Sequence, residues 1–141
     1  MGVGGRDGQI KIFDIKTGQM ATIIETEGPI QSLGFSENGT WLASASQGST
    51  SVTIWHLAKT PPAKLREIEF GAAVSDIAWD YTGQYLAIVG GGSIAVHSYQ
   101  KSGKKWSELI QKAMQCRKVA WDPQGQHLLV DSEKGIAELS A

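Results

Sequence analysis

The chain has 141 residues, 41% of them hydrophobic and 19% charged, with a formal net charge of -1. That balance fits a globular module with its own core and lacks the basic footprint of a general nucleic-acid binder. No run approaches the roughly 20 apolar residues of a membrane helix, no secretory leader pattern follows Met1, and the single cysteine, Cys116, excludes an internal disulfide and fits a reducing compartment.

In chain order, the first expected strand is Ile10-Lys11-Ile12-Phe13-Asp14, entered through the glycine-rich stretch 2–8. Those glycines, like Gly90-Gly91-Gly92-Ser93, match a phosphate cradle in composition only. A cradle needs a helix behind it, and both stretches lead into strands, so they read as tight turns. A strand at 21–24 follows, then Ile30-Gln31-Ser32-Leu33-Gly34-Phe35, the turn Ser36-Glu37-Asn38-Gly39, and strands at 41–43 and 52–56. Pro61-Pro62 reads as an extended connector. The same order recurs with strands at 65–70, 74–79, 85–87 and 94–98 around the turn Asp80-Tyr81-Thr82-Gly83. It recurs once more at 106–110, 116–121, 127–129 and 136–140, where the turn Asp122-Pro123-Gln124-Gly125 has Asp first, Pro second and Gly fourth. Residues 106–114 are the one stretch that competes as an amphipathic helix.

The strands that open at Ile10, Val52, Ile94 and Ile136 are spaced by 42 residues each time. A second series ends in a small residue followed by an aromatic one: Gly34-Phe35, Ala78-Trp79 and Ala120-Trp121. Four strands in a repeat of about 40–45 residues are the mark of a propeller blade. The expected fold is all-β, a partial β-propeller of about three complete four-stranded blades plus one leading strand. Its divisions are 1–15, the end of a preceding blade, then blades 16–57, 58–99 and 100–141. Propellers typically close with 4–8 blades, so the chain reads as a fragment or partial gene model. Its uncovered sheets are expected to be adhesive when it is expressed alone.

The chemical candidates have plain structural readings beside them. His56 and His97 read as equivalent places in adjacent blades, near enough to approach each other, yet no carboxylate or cysteine joins them at a metal-ligand spacing. Cys116 aligns with Ile30 and Val74, apolar strand positions, and so reads as a core thiol. Asp80 and Asp122 recur at turn starts, and no Gly-x-Ser-x-Gly elbow is present. Lys101, Lys104 and Lys105 with Trp106 form the one basic-aromatic cluster, which offers contact to RNA phosphate or an acidic peptide. The competing reading is a solvated loop with Trp106 packed inward. No catalytic residue, cofactor or metal is expected.

The pattern resembles the WD-repeat family. The segment Gly8-Gln9-Ile10-Lys11-Ile12-Phe13-Asp14 carries its strand ending, and Phe35-Ser36-Glu37-Asn38-Gly39-Thr40-Trp41-Leu42-Ala43-Ser44 its middle. The dipeptide that closes each repeat drifts through Phe13-Asp14, Trp55-His56, His97-Ser98 and Leu139-Ser140. The Gly-His pair of many such repeats is missing, so the blades are expected to rely on apolar packing rather than a His-Ser-Asp-Trp network. Together with Ser75-Asp76-Ile77-Ala78-Trp79-Asp80-Tyr81-Thr82-Gly83-Gln84, these segments resemble, in a fungal form, the C-terminal WD-repeat region of the pre-mRNA-processing factor nineteen family. That resemblance implies a nuclear protein-interaction scaffold within a splicing-associated U-box ubiquitin ligase. Its implied partners are proteins of the Nineteen complex and the remaining blades, with RNA associated only indirectly and no membrane. The U-box, which recruits the ubiquitin-conjugating enzyme, has no counterpart in these residues, so the chain by itself is expected to be non-catalytic. The alternative is a WD-repeat scaffold of transport, chromatin or signalling.

Overall fold

Period-two alternation, broken every few residues by turn formers, leads this chain to pair with itself strand by strand. The computed structural model describes residues 2–4, 6–26, 28–36, 39–57, 62–80, 82–100, 105–113, 115–121, 127–132 and 135–140. Among these, β1 (Gly2–Gly4), β2 (Gln9–Phe13) and β3 (Met20–Glu25) form a first sheet. The second sheet contains β4 (Ile30–Phe35), β5 (Trp41–Ser46), β6 (Ser51–His56) and β7 (Ala63–Glu69). The third contains β8 (Asp76–Trp79), β9 (Tyr85–Gly90), β10 (Ser93–Gln100) and β11 (Lys105–Ala113). The fourth contains β12 (Cys116–Trp121), β13 (His127–Ser132) and β14 (Gly135–Ser140). Every sheet is an antiparallel meander, and the sheets stack in chain order through β4, β8 and β12, their inner strands. The fold is an all-β partial propeller.

Two details depart from the strand pattern of the sequence. β1 lies within the glycine-rich stretch read as a turn. It pairs with β2 from Gly2↔Ile12 to Gly4↔Ile10, a ladder of backbone groups that needs no side-chain alternation. Residues 105–113 form a strand rather than a helix, held along β10 from Ser93↔Ala113 to Gln100↔Lys105 with one irregularity at Val96/His97. The sequence repeat and the sheet are also offset by one strand, since β3, β7 and β11 each close the sheet that precedes them.

The seams between sheets hold the core. Ala43, Ala45, Val52 and Ile54 of the second sheet meet Ile77, Leu86, Ile88 and Ala95 of the third. Ala87, Val89, Ile94 and Val96 of the third meet Cys116, Val119 and Leu128 of the fourth. Each large aliphatic side chain sealed in this way contributes about 1.5–3 kcal/mol. Burial also pushes the Cys116 thiol pKa up, which keeps it protonated and inert.

The small-then-aromatic motif has a specific cause. Trp79 Nε1 donates to the Gly34 carbonyl at 2.9 Å, and Trp121 Nε1 donates to the Ala78 carbonyl at 3.0 Å. Each indole thus lies over the small residue of the preceding inner strand, and a Cβ on Gly34 would already stand 3.4 Å from Trp79 Cδ1. Asp76 adds a second tie across three inner strands. Its carboxylate accepts from Ser32 Oγ at 3.4 Å on one side and from the Val119 amide at 3.0 Å on the other.

Candidate functional site

The seam between the first and second sheets is built differently from the others. Ile10, Ile24 and Leu42 seal part of it, with Trp55 packed against them. Beside that apolar patch opens a cleft of about 620 Å³, walled by Ser44, Ser46, Ser51 and Thr53 and by Lys64 and Glu67. Glu25 and the Gly28-Pro29 rim face them from the end of the first sheet. Strand alternation explains the wall. Ala43, Ala45, Val52 and Ile54 point to the sealed seam, while their neighbours Ser44, Ser46, Ser51 and Thr53 point the other way.

Hydrogen bonds fix most of these groups. Trp55 Nε1 donates to Ser44 Oγ at 3.0 Å, which locks the indole against the floor. Ser51 Oγ donates to Glu67 Oε1 at 2.9 Å, and Lys64 Nζ to Glu67 Oε2 at 3.2 Å. The Ser51 bond first, then Lys64, holds the Glu67 pKa below the usual carboxylate value. On the opposite side Gln9 Nε2 donates to Glu25 Oε1 at 2.8 Å.

The sequence-derived candidates fall elsewhere. Lys101 and Lys104 lie outside the described residues, as does Asp122. Lys105 begins β11, and its side chain is outside the description. Trp106 is 5% exposed and points into the seam between the second and third sheets. There it meets Tyr99, Trp79 and Trp41 at ring distances of 5.3, 5.7 and 6.4 Å. Asp80 is a turn residue. Its buried carboxylate accepts from the amides of Gln84 and Tyr85 and from Thr82 Oγ1.

The two histidines are not equivalent. His97 pairs with Leu86 across the sheet as Trp55 pairs with Leu42, so His97 occupies the place of Trp55, and His56 that of Ser98. His56 stacks on Trp41 at 4.8 Å. His97 is buried with Nε2 unbonded, and burial lowers its pKa more than nearby Glu108 raises it. Among the described residues no three His, Cys, Asp or Glu side chains gather to hold a metal ion.

The hydroxyl cleft was missed in the sequence because serines at strand positions read as solvent-facing. The signal that could have found it is the departure from the repeat, Ser44 and Thr53 standing where the next blade has Ile88 and Ala95.

Residues 18–56 match the WD domain, G-beta repeat family. That match covers one repeat, and the propeller fold extends past it. The structure superimposes on the Swd1 β-propeller domain of Myceliophteria thermophila with a TM-score of 0.79 at 21% identity, over 99% of this chain and 48% of that one. In sequence, the chain is 29% identical over 109 residues to Pre-mRNA-processing factor 19 of Schizosaccharomyces pombe, covering 77% of this chain and 22% of that protein. It is 26% identical over 134 residues to THO complex subunit 3 of Arabidopsis thaliana, covering 94% of this chain and 41% of that subunit. The chain therefore spans 22% and 41% of the length of these two relatives. The Ser44–Trp55 hydrogen bond shows that part of the polar network known from such repeats persists in the second sheet, beside the apolar seams.

Proposed function

We propose that this WD-repeat segment holds protein partners within a nuclear pre-mRNA-processing assembly, as the propeller part of a splicing-associated ubiquitin ligase. The observation that carries the reading is the 29% identity to Pre-mRNA-processing factor 19 over 109 residues. Sequence repeats 16–57, 58–99 and 100–141 are proposed as the repeating units, each giving its first strand to the sheet before it. Its rigid sheets present side chains and loops, and specificity resides in those surfaces rather than in bond-making groups. The basic stretch at Lys101, Lys104 and Lys105 is proposed to contribute a loop contact to such a partner, with Trp106 as the buried anchor behind it rather than a contact residue. Ubiquitin transfer in this reading belongs to a separate U-box, so the chain alone transfers none with any conjugating enzyme.

The longer alignment with THO complex subunit 3 favours a second reading, a scaffold in another nuclear assembly. Crosslinking of the native protein in nuclear extract, read by mass spectrometry, separates the two. Crosslinks to splicing proteins are expected. Crosslinks confined to transport, chromatin or signalling proteins would sink the first reading.

A further inference from the structure

The seam that opens into the cleft has a sealed counterpart within the same molecule. Facing the second sheet, the third sheet presents Ile88 and Ala95. At the matching places, facing the first sheet, the second presents Ser44 and Thr53. The strand pairs that carry these residues correspond in register, so the polar wall is a choice of side chains, although the first sheet that faces it has three described strands against the second's four. Hydroxyls at positions that elsewhere seal a core forgo burial worth about 1.5–3 kcal/mol for each large apolar side chain. Ser44 has a use within the sheet, the bond to Trp55, whereas the Thr53 and Ser46 hydroxyls have none and leave the cleft with groups free for a ligand.

The chemistry of the walls says which ligand. Lys64 is already engaged by Glu67, so the uncompensated charge is the carboxylate of Glu25. Among the described residues the Ser46 and Thr53 hydroxyls and Glu25 Oε2 have no hydrogen-bond partner. The half-buried indole of Trp55, held by Ser44, forms an aromatic floor. Acceptor oxygens around a fixed aromatic ring suit a planar cation with several donors, which stacks on the ring while its N–H groups reach the rim.

We propose that this cleft receives an arginine side chain of a protein partner, an assignment that rests on the scaffold function and gives it a contact. Guanidinium stacks on Trp55, pairs with Glu25 and donates to the Thr53 and Ser46 hydroxyls.

The test uses the full chain with ¹⁵N-labelled indoles, titrated with N-acetyl-arginine-N-methylamide or its neutral isostere N-acetyl-citrulline-N-methylamide. The Trp55 Nε1–H resonance is expected to move saturably with the arginine probe, while those of Trp79 and Trp121 stay in place and report an intact fold. The citrulline probe and the Glu25→Gln variant should each bind roughly tenfold more weakly, the loss of one charge-assisted hydrogen bond. An unmoved Trp55 resonance, an equal response to citrulline, or unchanged binding by Glu25→Gln would each overturn the assignment. Crosslinking of the native protein to its partners is read separately, so failure of the arginine site is told apart from failure of the scaffold reading.

Discussion

His97 shows how one substitution inside a repeat changes what the blade can do. Where the preceding sheet has Trp55 bonded to Ser44, this one has an imidazole, with Ile88 in the place of the serine, and its Nε2 is buried without a partner. Glu108 Oε2 stands 3.8 Å away, too far for a hydrogen bond, and Arg66 of the neighbouring sheet opposes a positive charge. Burial dominates and lowers the folded pKa from 6.5. The unfolded chain therefore binds this proton more readily than the folded one. The stabilisation is complete above pH 6.5 and is lost as pH falls from there toward the depressed folded value. Urea titrations across that window should show falling stability toward acid, and His97→Leu should flatten that part of the profile; an equally steep profile in the variant would remove His97 as its cause. Trp79 is a second case. Trp79→Phe keeps the ring over Gly34 and deletes only the 2.9 Å bond to its carbonyl. A loss of about 1 kcal/mol in denaturant unfolding is expected.

At the scale of elements, the tight hairpin between β9 and β10 packs against the connector that joins the second and third sheets. A Cβ on Gly90 would land on the Ala73 carbonyl, and one on Gly91 would meet the Ala72 side chain with φ at +53°. Both glycines lie under the 70–75 segment that leads into β8, whose Val74 and Ser75 amides are bonded to Ser49 and Val89 carbonyls. Gly90→Ala should therefore cost more than about 2 kcal/mol, beyond an ordinary exposed substitution, by circular dichroism through a urea gradient. A near-neutral result would mean that the segment shifts freely. The sequence made this hairpin legible as a turn, as it did the strand order and the aromatic positions Trp79 and Trp121. β1 was illegible because glycines carry no alternation, and the offset of sheet from repeat because pairing is made between strands rather than within one. The cleft was hidden for a related reason. Ser44 and Thr53 look like ordinary outward residues until their equivalents Ile88 and Ala95 are seen sealing a seam. His56 and His97 were matched by residue type, although the 42-residue spacing already sets Trp55-His56 against His97-Ser98. The register across β9 and β10 shows the two histidines to be one position apart.

The whole molecule is a row of sheets whose cohesion varies from seam to seam. Between the second and third sheets, Ile54, Ile68, Ile77, Leu86 and Ile88 are all 5% exposed or less, and Trp106 lies among them. Between the first and second, the buried apolar groups among the described residues are Ile10, Ile24 and Leu42, with the water-accessible cleft alongside. Asp76 and the two indole bonds tie β4, β8 and β12 together, yet none of these ties reaches the first sheet. Opening free energy follows the apolar area and hydrogen bonds that must be given up, so the first sheet should part from the rest before the third sheet unfolds. Hydrogen exchange read by mass spectrometry tests this directly. Peptides covering β2 and β3 should exchange at least about tenfold faster than those covering β9 and β10, a difference of roughly 1.4 kcal/mol in opening free energy. Thr53→Ala with Ser46→Gly, which copies Ala95 and Gly90 of the sealed seam, leaves the cleft without matching apolar partners on the first sheet. It should not slow that exchange, because cohesion requires both walls to be apolar. Equal protection of the first and third sheets would show that the apolar patch at Ile10, Ile24 and Leu42 suffices to bind the first sheet despite the open cleft.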